Sequence, residues 1–571
     1  MKNNTLITKY SDNMDKSNPW NEYPRPSMKR DSFFSLNGKW NFAISNSAPT
    51  EYTEEILVPF PPESALSGIE RTHAKGEKLY YKRSFELPDG FIKDRIILHF
   101  GAVDQICEVF LNGLLIGEHK GGYIPFSFDI TEAYKDGENE VLLVVTDDLS
   151  KIYPYGKQTK RRGGMWYTEV SGIWQTVWIE SVPTSYIQSI KIHQSSEEIK
   201  LEIFSEAEEK KLTVIETGES FAFNSQIFVY KNPERELWSP ENPKLYNFVL
   251  ETETDKVCGY FAFRDISLKT VGGVSKLCLN GEPYLFNGLL DQGYFPDGIF
   301  LPATSEGYRD DILTAKALGF NTLRKHIKIE PEVFYYLCDS LGMIVFQDMI
   351  NNSDYSFIRD TALPTLFMKR LSDKRLHKCP CSRNEFILEM TETLELLYNH
   401  PSVLYYTIFN EGWGQFTADK VYEIAKNIDQ TRIFDATSGW FWQKRSDVFS
   451  HHVYFKKLKT KLSDERPTVI SEFGGYSHRC EGHLFGDGNY GYRTIKDRTD
   501  FENAVISLYE NEVLPLAKRG VCGFIYTQIS DIEDETNGFL TYDRRILKVD
   551  ADKISALMTR IYEEFKQTEE I

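Results

Sequence analysis

The sequence predicts a multidomain β and α/β protein, two β-sandwiches followed by a (β/α)8 barrel. Three observations carry that reading. Residues 33–182 form short strands broken by turns, with no helical periodicity. Residues 184–268 continue as strands over a stretch that suits a small immunoglobulin-like sandwich. From about residue 269 apolar strands alternate with amphipathic helices. The 571-residue chain has room for two to four domains, and the expected boundaries are 1–182, 183–268 and 269–571.

In the first stretch, Leu36-Asn37-Gly38-Lys39-Trp40 opens a strand and Tyr81 to Phe85 alternates polar and apolar side chains. Arg95 to Phe100 and Glu108 to Leu111 follow, the latter closing on the hairpin dipeptide Asn112-Gly113. Glu140 to Thr146 and Thr176 to Ile179 complete the series. The second stretch reads as strands at Ile187 to Ile192, Ile199 to Ile203, Gln226 to Tyr230, Asn247 to Glu251 and Gly259 to Phe263. The Pro and Trp punctuation from Leu237 to Pro243 marks a loop between them.

In the third stretch the predicted strands are Tyr284 to Leu289, Phe320 to Leu323, Met343 to Phe346, Val403 to Phe409, Arg432 to Asp435, Val448 to Val453, Thr468 to Ser471 and Val521 to Tyr526. Helices are expected over Ser305 to Leu318, stopped by Gly319, and Pro331 to Leu341, stopped by Gly342. Eight βα units in about 300 residues make a TIM barrel, whose active sites lie at the C-terminal ends of the strands.

Composition narrows the function. A net charge of −18 and a pI near 5.3 disfavour a nucleic acid or an anionic membrane as partner. No run of about 20 apolar residues is present, and the N-terminus lacks the apolar core of a secretory signal. The eight cysteines are sparse and sit mostly singly in apolar runs, the usage of a reducing cytosol, so a cytoplasmic location is expected. His377, Cys379 and Cys381 offer three ligands in five residues, but a C-x-C without a second pair is too short a set to read as a zinc site.

Polar residues just beyond the barrel strands carry the chemistry. Asn410-Glu411-Gly412-Trp413 follows strand four, and Glu472 follows strand seven in Ser471-Glu472-Phe473-Gly474. One such glutamate alone would read as an exposed loop carboxylate. Two at strand ends, beside glycines and aromatics, suit glycosidic cleavage, where one carboxyl gives a proton and the other attacks the anomeric carbon. Arg324, at the end of strand two, is placed to hold the attacking carboxylate ionised. Asp291, Gln292, His326 and Asp348 are candidates for the pocket floor. Asp348 opens a long segment to about residue 384, containing Asn351, Asn352 and Asp354, that reads as a wall or lid.

Over essentially its whole length the chain resembles glycoside hydrolase family 2, the retaining exo-β-glycosidases that include β-galactosidases, β-glucuronidases and β-mannosidases. The N-terminal marks are Tyr23-Pro24-Arg25-Pro26, Leu36-Asn37-Gly38-Lys39-Trp40, His99-Phe100-Gly101-Ala102-Val103-Asp104, Gly121-Gly122-Tyr123 with Phe128-Asp129-Ile130-Thr131, and Ser171-Gly172-Ile173-Trp174-Gln175. The barrel marks are His400-Pro401-Ser402 leading into Asn410-Glu411, Ser471-Glu472-Phe473-Gly474, and Tyr542-Asp543-Arg544. The resemblance implies a jelly-roll, sugar-binding-like N-terminal sandwich, Glu411 as acid/base and Glu472 as nucleophile. It places Asn410 on the sugar 2-hydroxyl, His326 on the sugar, Tyr454 on the nucleophile, and Trp440 and Tyr526 as aromatic platforms; many members have Trp at the strand-eight position.

Two departures bear on the substrate. The β-glucuronidases carry an Asn-x-Lys pair whose lysine grips the sugar carboxylate, and the matching stretch here, Glu535-Thr536-Asn537-Gly538-Phe539-Leu540, has none. The magnesium ligands of the large β-galactosidases are also missing, so neither a metal nor another cofactor is expected. The resulting expectation is an exo-acting β-glycosidase for a neutral sugar, galactose first. A β-glucuronidase or β-mannosidase, or a catalytically silent carbohydrate-binding protein, are the alternatives. The expected partner is the carbohydrate itself, and a homo-oligomer is compatible with the sequence.

Overall fold

The computed structural model describes residues 6–363, 372–460, 462 and 465–567. In Gly38–Ser45 the buried Trp40 and Phe42 alternate with exposed Lys39 and Asn41, so one face is apolar. That strand lies second in a six-stranded sheet ordered Glu54–Val58, Gly38–Ser45, Lys78–Phe85, Asn139–Thr146, Ile106–Leu111 and Leu114–Lys120. A four-stranded sheet of Phe34–Ser35, Val177–Val182, Arg95–Phe100 and Phe126–Asp129 faces it. Trp40, Phe42, Tyr81, Leu98 and Phe100 fill the jelly-roll core between them. The Asn112-Gly113 hairpin forms as expected, with φ of +52° and +82° at its two turn residues.

The second sandwich pairs a three-stranded sheet, Ile187–Gln194, Ile199–Ser205 and Ile227–Tyr230, with a four-stranded one, Ser220–Phe223, Lys210–Val214, Tyr246–Glu251 and Lys256–Phe261. Its core includes Ile192, Leu201, Leu212 and Phe248.

Eight parallel strands form the barrel: β1 (Phe286–Asp291), β2 (Thr322–Lys325), β3 (Ile344–Asp348), β4 (Val403–Asn410), β5 (Ile433–Ser438), β6 (Phe449–Val453), β7 (Thr468–Gly474) and β8 (Gly523–Thr527). Their order is β5-β4-β3-β2-β1-β8-β7-β6. Helix α1 (Glu306–Ala317) follows β1 and α2 (Glu332–Leu341) follows β2. Gly342 ends α2 in the left-handed conformation, φ +75°, that stops a helix without a Cβ penalty. Among the described residues no ladder joins β5 to β6. There Asp447 takes over, accepting from the Phe434 N–H (2.8 Å) and donating its own N–H to the Phe434 carbonyl (2.9 Å), while Ser446 Oγ accepts from the Ala436 N–H (3.1 Å).

The stretch read as a punctuating loop has a structural duty. Trp238 is fully buried and its indole N–H donates to the carbonyl of Asp339 in α2 (2.8 Å). The Asp339 carboxylate accepts from the Tyr260 hydroxyl of the second sandwich and from the Ser402 N–H, and lies 2.8 Å from His400 Nδ1. The His400-Pro401-Ser402 motif therefore clamps the second sandwich to the barrel wall where the chain enters β4, at the end away from the strand C-termini. Asp339→Ala strands three buried partners and is expected to destabilise the protein by about 3 kcal/mol or more in chemical denaturation, with Asp339→Asn losing less.

Candidate active site

Side chains alternate along β2, so Arg324 points into the barrel and Lys325 toward the helices. Arg324 is fully buried and spends its donors on the ends of three other strands. Nε donates to Asp348 Oδ1 (3.0 Å), Nη1 to Glu472 Oε1 and the Ser471 carbonyl (both 2.9 Å), and Nη2 to Asn410 Oδ1 (2.8 Å). Asp348 also meets His326, whose Nδ1 lies 2.6 Å from Oδ2. Burial would raise the Asp348 carboxyl, but the Arg324 charge outweighs it and holds the group below its usual range. Burial and the nearby Lys157 ammonium together press His326 down to about 4, leaving a neutral ring at neutral pH.

Glu472 lies inside β7 rather than after it. Burial alone would raise its carboxyl; the His452 ring, the Arg324 guanidinium, the His326 ring and the hydrogen bond from Tyr454 bring it down to about 2. The Tyr454 hydroxyl donates to Glu472 Oε2 and lies 3.1 Å from Thr527 Oγ1, and Tyr492 stacks on the Tyr454 ring at 3.6 Å.

Glu411 directly follows β4 in a left-handed conformation, φ +53°, which costs a non-glycine residue about 1 kcal/mol or more. Its N–H donates to the Ser438 carbonyl (3.0 Å). The Glu411 side chain is 17% exposed against 6% for Glu472, so Glu411 faces the open side of the site. Its Oε1 lies 2.7 Å from His452 Nδ1. Trp440 is half-buried; its indole N–H reaches the Glu411 carbonyl (3.1 Å) and the Asp360 carbonyl (2.9 Å), and its ring sits edge-on to His452. One oxygen each of Glu411 and Glu472 and one ring nitrogen of His452 lie within 4.8 Å of one another. These three could ligate a metal, but Arg324 Nη1, 2.9 Å from Glu472 and 3.3 Å from His452 Nε2, brings a fixed positive charge against them that opposes a cation there.

Two expected site residues face elsewhere. Tyr526 is fully buried between Phe473, Tyr509 and Phe539, on the helix side of β8. It is no sugar platform; its neighbour Thr527 is the residue turned to Tyr454. Asp291 also faces the helices, where Lys325 Nζ (2.6 Å) and the Gly293 N–H (2.9 Å) occupy its oxygens. In both cases alternation along a strand decides the direction, and an apolar run buried on both faces does not reveal its phase. Gln292 is buried and donates to the Tyr167 hydroxyl and to Gln528 (both 2.7 Å). Trp413 is buried in an aromatic cluster with Tyr155, Trp166 and Tyr355.

The first sandwich supplies part of the mouth, which the sequence did not suggest. Tyr167 donates to Glu535 (2.7 Å), the Thr168 N–H to Glu533 (2.9 Å), and Trp166 packs on Trp413. Lys157 lies over the Tyr167 ring (6.0 Å), close enough to act electrostatically on both His326 and Glu535. Residues 364–371 of the expected lid segment lie outside the described residues. Of the short cysteine motif, Cys379 and Cys381 are exposed and His377 lies 3.4 Å from Asp360. Among the described residues no helix is long and apolar enough to cross a membrane.

Comparison with known proteins agrees with this layout. A model described as "Glycosyl hydrolases family 2, sugar binding domain" matches residues 67–183, "Glycosyl hydrolases family 2" matches 182–264, and "Glycosyl hydrolases family 2, TIM barrel domain" matches 274–544. The chain belongs to glycoside hydrolase family 2. Within the family it is 25% identical over 441 residues to a β-galactosidase of Thermoanaerobacter pseudethanolicus, covering 71% of this chain and 55% of that protein. It is 23% identical over 450 residues to a putative β-glucuronidase of Formosa agariphila, covering 68% and 50%. The chain thus spans about half the length of such curated relatives. Among solved structures, a β-glucuronidase of an uncultured Clostridium sp. superposes with a TM-score of 0.73 at 18% identity, covering 95% of this family 2 chain and 99% of that one. A β-galacturonidase of Eisenbergiella tayi gives 0.68 at 18% identity, covering 95% and 97%.

Because the folded Glu472 carboxyl titrates near 2 and an unfolded glutamate near about 4.3, its ionised form stabilises the fold fully above the higher value and loses that contribution as the pH falls through the lower. Melting temperatures of wild type and Glu472→Gln should therefore diverge in favour of wild type as the pH rises from about 2 to about 5, then run parallel. Parallel curves throughout would refute the depressed carboxyl.

Proposed function

We propose that this chain is a retaining exo-β-glycosidase in which Glu472 is the nucleophile and Glu411 the acid/base. The observation that carries the reading is the separation of the two carboxylates, which have oxygens within 4.8 Å. Retaining enzymes hold their carboxyl groups about 5 Å apart; inverting ones leave about 6.5–9.5 Å for a water. The electrostatics support the same roles. Glu472 is kept ionised by the Arg324 guanidinium, 2.9 Å from its Oε1, and is oriented by Tyr454, as an attacking carboxylate requires. Glu411 is the more open of the two, on the side from which a leaving group departs.

In the first step Glu411 protonates the glycosidic oxygen while Glu472 bonds to the anomeric carbon. In the second Glu411 takes a proton from water, whose oxygen displaces Glu472. Asn410, held by Arg324, is the donor available to the sugar 2-hydroxyl. The sandwich loop bearing Lys157, Trp166 and Tyr167 walls one side of the barrel mouth, which supports attack on a terminal sugar. Asp348, His326 and Gln292 remain candidates for sugar contact. Arg324 already supplies positive charge beside the nucleophile, so activity is expected to survive EDTA; loss on chelation, restored by magnesium or zinc, would contradict this.

For the sugar, a neutral hexose such as galactose is the first reading. The lysine of the glucuronidase motif is missing, and the carboxylate of Glu535 lies in the network that joins Gln292 to Tyr167. A uronic acid is the second reading, favoured by the positive charge of Lys157, which acts on both His326 and Glu535. A p-nitrophenyl panel of β-galactoside, β-glucoside, β-mannoside and β-glucuronide separates the two. The neutral reading expects a neutral glycoside to be cleaved best and Lys157→Ala to be nearly silent. The uronate reading expects the glucuronide to lead and Lys157→Ala to abolish that lead.

The catalytic roles are tested by azide. Glu472→Ala should be nearly inactive on every substrate, because the covalent step is gone. Glu411→Ala should keep its first step on an aryl glycoside with a good leaving group, stall in the second, and yield a β-glycosyl azide when azide is added. Equal loss in both variants without rescue would contradict the assignment.

A further inference from the structure

His452 touches both glutamates, yet the reaction scheme gives it no step. Its side chain is fully buried, with Nδ1 2.7 Å from Glu411 Oε1 and Nε2 2.9 Å from Ser438 Oγ. Gly439, at φ +90°, leaves no room beside the ring: a Cβ there would lie 2.8 Å from it. Trp440 stands edge-on at 5.7 Å. The charged and titratable groups facing the ring are Glu411 at the end of β4, Glu472 on β7 (3.6 Å from Nε2), Arg324 on β2 (3.3 Å from Nε2), Asp435 on β5 and the neighbouring His451.

We propose that His452 is a positioning residue for the catalytic proton: a neutral imidazole that donates Nδ1–H to Glu411 Oε1 and is held in that tautomer from behind by Arg324 and Ser438. The inference rests on Glu411 being the acid/base. A guanidinium cannot give up its proton, so a second N–H at Nε2 would point at positive charge, whereas a lone pair there is stabilised by it. Glu472 Oε1, the acceptor that would otherwise draw a proton to Nε2, is already taken by Arg324 Nη1 at 2.9 Å. The Ser438 hydroxyl is free to donate to Nε2 because its oxygen has other hydroxyls beside it, Ser471 at 2.9 Å and Ser450 at 3.1 Å.

The tautomer determines where the acid proton sits. With Oε1 accepting from His452, the transferable proton is on Oε2. In the first step that proton passes to the glycosidic oxygen as the carbon–oxygen bond breaks and its electron pair stays with the leaving oxygen. Negative charge then appears on the Glu411 carboxyl, and the Nδ1–H···Oε1 bond becomes charge-assisted and stronger. In the second step water returns a proton to Oε2 while its oxygen bonds to the anomeric carbon and Glu472 departs. His452 gains and loses no proton in either step. Because the hydrogen bond is stronger to the carboxylate than to the acid, it favours the transition state in which the proton leaves Oε2.

The test is the pH profile of kcat/KM in His452→Phe, which keeps a ring and removes both nitrogens, and in Ser438→Ala, which removes the group behind Nε2. The alkaline limb, where the acid loses its proton, should move to higher pH in His452→Phe and by a smaller amount in Ser438→Ala. Aryl glycosides with poor leaving groups should lose about tenfold or more beyond those with good ones, because they depend on the acid. In a Glu411→Ala background, His452→Phe should cost little further on an activated substrate, since its partner is gone. An unmoved limb in Ser438→Ala and in any folded His452→Phe, or an equal loss with and without Glu411, would overturn the proposal. Azide rescue of Glu411→Ala together with an unmoved limb would overturn this inference alone. Failure of that rescue would overturn the acid/base reading on which it rests.

Discussion

One buried cation organises the centre of this protein. Arg324 has no exposure, and a charge so placed is tolerated only when paired and fully hydrogen-bonded. Its guanidinium reaches Asp348 on β3, Asn410 on β4, and Glu472 with the Ser471 carbonyl on β7. A planar fork with fixed donor directions sets the positions of those groups relative to one another, which a lysine ammonium would not do. It also supplies much of the charge that keeps Glu472 ionised in a site where burial alone would protonate it.

The second constraint is the break between β5 and β6. Parallel strands normally satisfy their backbone across the ladder, but here Asp447 and Ser446 serve β5 instead. Inside the barrel the break is bridged by side chains: Ser438 of β5 contacts Ser450 and His452 of β6 and Ser471 of β7. The region of the barrel least held by its ladder is thus the one where a small hydroxyl cluster and an imidazole meet the two glutamates. The first sandwich adds a wall from outside, since Trp166 and Tyr167 pack on barrel loops near that mouth.

Much of this was legible in the residues. The apolar runs ending in Asn410-Glu411 and in Glu472-Phe473-Gly474 located the strand ends, because a buried strand must be apolar until it reaches the mouth. What periodicity did not give was phase. Asp291 and Tyr526 occupy the correct strands but face the helices, and the one-residue difference between Tyr526 and Thr527 cannot be read from a run that is buried on both faces. His452 lay in view, two residues before Tyr454, and the polar pair His451-His452 inside an otherwise strand-like segment was the signal. Lys157 and Tyr167 carried none: they come from a loop of the first sandwich and reach the site only through the packing of separate domains.

The central claim is that Glu472 bonds covalently to the sugar while Glu411 manages the proton. It is tested most directly by intact-protein and peptide mass spectrometry of Glu411→Ala quenched during turnover of an aryl β-glycoside with a good leaving group. The account predicts an adduct of one glycosyl unit, localised to Glu472. An unlabelled enzyme that nonetheless releases sugar of inverted anomeric configuration would contradict it.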